Sequence, residues 1–188
     1  EPLTPLNKLN DKQMEAVRKA INTKDLFILQ GPPGTGKTTV ISEIIFQILK
    51  REPKSKVLLT SQTHLAVDNA LERLANQSIV KPLRLGTNPD SFEEEGQKYF
   101  EGYINIWADA EPDSPTEKKY EKNPVKVWIR NIIANVPNAD EKFKPVLDKW
   151  KSGLLKLDKI EKRLFAKRYT SSFNVVGATC SLTGSDFG

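Results

Sequence analysis

Asp25-Leu26-Phe27-Ile28-Leu29-Gln30 runs directly into Gly31-Pro32-Pro33-Gly34-Thr35-Gly36-Lys37-Thr38, and this junction decides the fold. The first six residues are rich in apolar side chains and too few for a helix, so they read as a strand buried on both faces. The next eight match the phosphate-loop pattern in full, glycines, lysine and hydroxyl included. Val40, Ile41, Ile44, Ile45, Ile48 and Leu49 then recur at helical spacing, which predicts a helix from Lys37 to about Lys50, stopped near Pro53. Glycines let backbone N–H groups turn inward around an anion, and the N-terminus of the following helix aims further free N–H groups at it. Lys37 is then placed to reach the β- and γ-phosphates of a nucleoside triphosphate, and the Thr38 hydroxyl to hold Mg²⁺. The expected ATP-binding residues are Gly31, Pro32, Pro33, Gly34, Thr35, Gly36, Lys37, Thr38 and Thr39, with the catalytic roles on Lys37 and Thr38.

Upstream, Asn10 can cap a helix, Gln13 stands at the capping-box position, and Leu9 with Met14 can form a hydrophobic staple. Downstream, the strand-then-helix cycle repeats. Lys56–Thr60 reads as a second strand, His64 to about Asn76 as a helix, Leu83–Gly86 as a third strand and Phe173–Thr179 as a fourth. Such alternation predicts an α/β fold, a parallel sheet flanked by helices.

The stretch between the third and fourth strands breaks this rhythm. Residues 87–116 are acidic and Pro-punctuated and read as loop with short helix. Pro124 suits a first helical turn, with Val125, Trp128, Ile129, Ile132, Ile133 and Val136 as its stripe. Asn138 to Glu141 has the form of a capping box. It opens a helix on which Phe143, Leu147, Trp150, Leu154, Leu157, Ile160 and Leu164 recur every three or four residues, as on a helix packed along a partner. The expected organisation is a core over residues 1–86, an inserted helical subdomain over 87–168, and a return strand over 169–188.

The net charge of +5 is unevenly spread. Residues 87–113 carry 1 basic and 8 acidic side chains, whereas residues 114–168 carry 15 and 7. That polarity fits a nucleic-acid partner and equally a solvated helix face. No apolar run approaches the roughly 20 residues of a membrane span. The single cysteine, Cys180, excludes an internal disulfide, fits an intracellular setting, and reads as a small buried residue.

Four stretches resemble superfamily 1 helicases, the group with the nonsense-mediated-decay RNA helicase, the immunoglobulin-mu-binding-protein helicase and senataxin. Leu9-Asn10-x-x-Gln13-x-x-Ala16-Val17 is similar to the family's Q motif, and residues 31–38 to its motif I. Leu59-Thr60-Ser61-Gln62-Thr63-His64-Leu65-Ala66-Val67-Asp68 is similar to motif Ia, and Val175-Val176-Gly177-Ala178-Thr179-Cys180 to the next nucleic-acid-contacting motif. The resemblance implies a RecA-like P-loop fold with an inserted helical stalk and accessory subdomain. It implies that Gln13 reads the adenine edge, although Gln13 can equally just close a capping box. It implies that Thr63, His64 and Thr179 contact single-stranded DNA or RNA. His64 departs from the Ser-Asn common in relatives, and Thr63 can also be a helix cap.

Hydrolysis further requires an acidic residue on a strand end and a group that orients water. In the family these sit on an Asp-Glu strand after Thr179-Cys180, so the chain is expected to stop short of them and of the second motor domain. Asp109 and Glu111 lie before the fourth strand and are weak substitutes. The resemblance implies a parent that hydrolyses ATP while moving 5′ to 3′ along one strand. The competing readings are a non-helicase P-loop ATPase and a nucleic-acid-binding scaffold with a vestigial nucleotide pocket.

Overall fold

A computed structural model of the chain describes residues 3–75, 77–134, 136 and 141–184. Its sheet has three parallel strands, β1 (Val57–Ser61), β2 (Pro82–Arg84) and β3 (Val175–Thr179), in the order β1-β3-β2. Val57 pairs with Val175 and Ser61 with Thr179 on one side of β3; Pro82 pairs with Val175 and Arg84 with Gly177 on the other. The imino residue Pro82 sits where it costs no ladder bond, at the first position of an outer strand.

Helix α1 spans Asp11–Asn22, α2 spans Lys37–Arg51 and α3 spans His64–Ala75. The apolar stripe of α3, Val67, Leu71 and Leu74, packs with Ile45 and Leu49 of α2 and with Val175 of the sheet. Gly177 lets α3 approach closely, since a Cβ there would stand 2.6 Å from Leu71 and 2.7 Å from Val67. The segment ahead of α1 is tied to α2 by Glu43. This fully buried carboxylate accepts the Leu6 and Asn7 backbone N–H groups at 3.0 Å and the Gln47 amide at 2.8 Å. Gln47 in turn donates to the Thr4 carbonyl at 2.8 Å. Several donors converging on one carboxylate offset the cost of its burial.

Between β2 and β3 the chain forms α4 (Glu94–Gln97), α5 (Glu101–Asp109), α6 (Pro115–Lys119), α7 (Pro124–Ala134), α8 (Lys144–Leu155) and α9 (Lys159–Ser172). A second core of Ile104, Trp107, Val125, Ile129, Leu157, Ala166 and Tyr169 joins α5, α7 and α9. Leu83 of β2 belongs to that core too, and the Tyr169 hydroxyl donates to the Pro82 carbonyl at 2.7 Å, fastening α9 to the sheet. A short α10 (Cys180–Thr183) follows β3.

Four sequence expectations need correction. Asp25–Gln30 is not a strand, and Leu26 and Ile28 are 75% and 78% exposed. A strand exists only through its neighbours, and no described strand pairs with this run. Secondly, the single helix expected from 141 to 164 is two. Asp158 accepts the Glu161 N–H while Glu161 accepts the Asp158 N–H, a capping box that restarts the helix after Leu155. The expected stripe is broken accordingly: Phe143, Trp150, Ile160 and Leu164 are exposed, and only Leu157 is buried. Thirdly, the acidic segment is more helical than its composition implied, because α5 buries Ile104 and Trp107 despite the acidic residues around it. Lastly, Cys180 is exposed. The expected cap at Asn138 lies outside the described residues.

Candidate nucleotide and nucleic-acid site

Residues 31–36 form a turn that delivers the chain into α2, a 15-residue helix. Gly34 and Gly36 both have φ of +79°, the left-handed region that costs a residue with a Cβ about 1–2 kcal/mol. Gly36 is the N-cap of α2, with no side-chain cap and no acidic residue in the first turn. The helix therefore meets the loop with uncapped N–H groups and the positive end of its dipole. Lys37 folds back across the turn, its Nζ donating to the carbonyls of Gly31 at 2.7 Å and Pro32 at 2.8 Å. Thr35 Oγ1 donates to the same Pro32 carbonyl at 2.8 Å, while Pro32, Pro33, Gly34 and Thr35 are exposed and Thr38 and Thr39 half-buried.

These residues fit a triphosphate with its metal. Glycines stand at 31, 34 and 36 of the loop, and a Cβ on Gly31 would stand 2.9 Å from Thr35 Oγ1. An ammonium and a hydroxyl, on Lys37 and Thr38, flank the helix start. Bound there, Mg²⁺ would neutralise phosphate charge, with Thr38 as the residue to hold it. Gln13 closes the capping box and also touches the phosphate loop. Its Oε1 accepts the Asn10 N–H at 3.0 Å, closing the capping box, and its Nε2 donates to the Thr35 carbonyl at 3.0 Å. The amide is thereby held against the phosphate loop.

Thr63 and Thr179 follow or end neighbouring parallel strands, since Ser61 pairs with Thr179. Thr63 is exposed and its hydroxyl accepts the Ala66 N–H at 3.4 Å, so it sits at the start of α3. Thr179 is buried, its hydroxyl 3.1 Å from that of Ser181. His64 is half-buried, its Nδ1 2.9 Å from Arg84 Nη2. The sequence reading passed over this arginine. Arg84 Nε donates to Asp68 at 2.7 Å, Nη1 donates to the Leu85 carbonyl at 2.7 Å, and the guanidinium lies 4.3 Å above the Phe92 ring. The available signal was a charge in the middle of the apolar run Leu83-Arg84-Leu85.

Asp109 and Glu111 stand on or just beyond α5, not on a strand, and face cations: Asp109 meets Arg163 at 2.7 Å and Glu111 meets Lys159 at 2.6 Å. The hydrogen bond from Lys159, then its charge, holds the Glu111 carboxyl below its ordinary value. Among the described residues no group of three or more His, Cys, Asp or Glu could hold a metal, and no helix is long and apolar enough to cross a membrane.

A parallel α/β sheet flanked by helices, with a glycine loop and lysine opening a helix, defines a P-loop nucleotide-binding fold of the RecA-like type. Residues 8–186 match the AAA domain family, and the chain belongs to that family and to its superfamily 1 helicase group. It is 47% identical over 102 residues to the DNA replication ATP-dependent helicase/nuclease DNA2 of Saccharomyces cerevisiae, covering 52% of this chain and 6% of that protein. It is 31% identical over 147 residues to an uncharacterized ATP-dependent helicase of Methanocaldococcus jannaschii, covering 78% and 20%. Likeness to the DNA-binding protein SMUBP-2 of Rattus norvegicus is 49% over 75 residues, covering 39% and 7%. The chain thus spans a fifth or less of the length of these relatives.

Proposed function

We propose that this chain is the nucleotide-binding front part of a motor that couples ATP hydrolysis to movement along single-stranded DNA or RNA. Residues 1–86 and 169–188 supply its RecA-like core, and residues 87–168 its helical stalk and accessory subdomain. The observation that carries the reading is the Lys37 ammonium, folded onto the Gly31 and Pro32 carbonyls at the uncapped start of α2. A γ-phosphate needs only to draw that ammonium off two neutral carbonyls, an exchange favoured by its charge. Lys37 and the α2 amides hold the phosphates, Thr38 holds Mg²⁺, and Gln13, already beside the loop, meets the base. Thr63 and His64, at the carboxyl end of β1, contact the strand, where ligands of open parallel sheets gather.

Completion of the motor comes from the rest of the parent protein. Leu26, Ile28 and Leu58 are large exposed apolar side chains on the segment before the loop and on the outer strand β1. As an outer strand among the described residues, β1 leaves an edge for further strands, one of them bearing the acidic pair for hydrolysis, and a second motor domain adds an arginine finger. Translocation is 5′ to 3′, as the resemblance implies. These 188 residues alone bind nucleotide weakly and unwind nothing. The experiment is fluorescent-ATP binding and ATP turnover with single-stranded DNA or RNA, for the chain and for Lys37→Ala. Weak binding abolished by Lys37→Ala, with no turnover, is the expected result. Binding indifferent to Lys37 removes the nucleotide site, and robust turnover removes the inferred need for further parts.

A further inference from the structure

A cavity lies well away from the phosphate loop in sequence, among the helices between β2 and β3. It has a volume of about 310 Å³ and is bordered by α4, α5, α6 and the turn before α7. Small-ligand sites span about 300–1,000 Å³, so this one has room for a single small unit and no more.

Two features of its lining are chemically specific. One is a pair of rings: Tyr103 and Tyr120 lie 4.7 Å apart between centroids, tilted by 46°. Tyr103 is braced from behind by the edge of Phe100 at 5.2 Å. Tyr120 is fixed through its backbone, because buried Asn123 donates to the Tyr120 carbonyl at 2.8 Å while its own oxygen accepts the Val125 N–H at 3.0 Å. The other is charge. Lys98, Lys118, Lys119 and Lys122 line the cavity against a single described carboxylate, Glu94. Lys118, Lys119 and Lys122 are exposed and make no ion pair among the described residues, and Lys119 Nζ stands 5.2 Å over the Tyr120 ring. Lys98 is the one basic residue in the otherwise acidic stretch 87–113, and it lies at this cavity. Burial, then the neighbouring Tyr120 and the Asp90 charge, raises the Tyr103 phenol above its ordinary value.

We infer that this cavity is a nucleotide site: one base packs on Tyr103 and Tyr120 while its phosphate is held among Lys118, Lys119 and Lys122. Rings with ammonium groups around them are the combination that grips a single nucleotide, because every base has a stacking face and every phosphate a charge. Neutral apolar ligands leave the lysines unused, and inorganic anions leave the rings unused. The nucleotide is either one unit of a single strand or a free nucleotide; both present the same ring and phosphate. No residue of the phosphate loop contributes, so this site stands or falls apart from the ATP site.

The test uses the 188-residue chain and an oligothymidylate carrying 5-iododeoxyuridine, cross-linked by ultraviolet light and mapped by mass spectrometry. Cross-links to Tyr103 or Tyr120 are expected, and they are lost in the exposed-charge variant Lys118→Glu/Lys122→Glu while its circular dichroism and fluorescent-ATP binding stay unchanged. The salt slope of oligonucleotide retention should fall by about 0.7 for each phosphate contact removed. Lys37→Ala, which disables the phosphate loop, should leave these cross-links intact. Competition by millimolar thymidine monophosphate identifies a free-nucleotide site, and its failure to compete identifies a unit of a strand. Cross-links found only outside the cavity, no cross-links at all, or a yield indifferent to the charge reversal would each overturn the inference.

Discussion

Arg84 Nε lies 2.7 Å from Asp68 Oδ1, and solvent reaches neither side chain. The pair joins four parts of the molecule. Asp68 is on α3, Arg84 is on β2 and also donates to the Gly177 carbonyl of β3 at 3.3 Å, and the other oxygen of Asp68 accepts the Glu93 N–H at 3.0 Å just before α4. Gly96 completes the fit, since a Cβ there would stand 2.3 Å from the Asp68 carboxylate. One buried pair thus sets the start of α3, where Thr63 and His64 lie, against the entry to the inserted helices.

Removing either member strands the other charge in the interior. Asp68→Ala should destabilise the fold by about 3–5 kcal/mol, the usual cost of orphaning a buried ion. Arg84→Lys should recover only part of this, because an ammonium cannot reach Asp68, His64 and the Leu85 carbonyl together. Urea unfolding of the variants measures both; a loss under 1 kcal/mol for Asp68→Ala would contradict the burial described.

The same arginine dictates the state of His64. A guanidinium has no acceptor, so the contact at 2.9 Å requires His64 Nδ1 to accept, which leaves the ring hydrogen on Nε2. His64 then meets a ligand as an Nε2–H donor, suited to a phosphate oxygen. Nitrogen-15 correlation spectra should show the Nε2–H tautomer alone in the native chain, and a mixture of tautomers in Arg84→Met.

Much of this was legible from the residues and some was not. The phosphate loop could be read because its glycines answer a local demand, positive φ at Gly34 and Gly36, which no distant contact can replace. The parallel strands were legible for a similar reason: Val175–Thr179 is apolar enough to be central and lies between β1 and β2. Asp25–Gln30 misled because apolar density reports a wish for burial and says nothing of whether a partner strand is at hand. The 141–164 stripe misled because its spacing persists through Leu157, whereas the Asp158–Glu161 capping box locally outweighs it. Trp150 was expected on the packed face of that helix and is exposed. Arg84 was missed because its function depends on Asp68, sixteen positions away, and strand pattern alone cannot show that pairing.

The two left-handed glycines should respond differently to alanine. Each substitution costs about 1–2 kcal/mol of backbone strain. At Gly34 nothing lies within 4 Å of the added Cβ, so the strain stands alone. At Gly36 the methyl would lie 2.7 Å from Gln13 Nε2, so the amide must leave the Thr35 carbonyl. Thermal melts should therefore show similar losses, whereas the preference for ATP over other nucleoside triphosphates should fall in Gly36→Ala and persist in Gly34→Ala. Equal loss of preference in both would separate Gln13 from base reading.

Acid should weaken the fold through Glu117. Its partner Lys162 is fully buried, Nζ donating to the Ala110 carbonyl at 2.6 Å and to Glu117 at 3.0 Å. Burial acts to raise the Glu117 carboxyl, but the Lys162 hydrogen bond and the Asp113 N–H outweigh it and hold the group below its ordinary value of 4.5. A carboxyl depressed in the folded state binds protons more readily when unfolded. Its stabilisation is therefore complete above the unfolded value and disappears as pH falls through the folded one. Glu117→Gln keeps an acceptor for Asp113 but leaves the buried ammonium without an anion, which should cost about 3 kcal/mol at neutral pH. Adding Lys162→Met should restore most of that loss, because no charge is then buried there. Denaturant titrations from about pH 7 to pH 3 should show a native chain that loses more stability than Glu117→Gln over the acid range. Parallel acid losses in the two proteins would mean that Lys162 is not held by a charged Glu117.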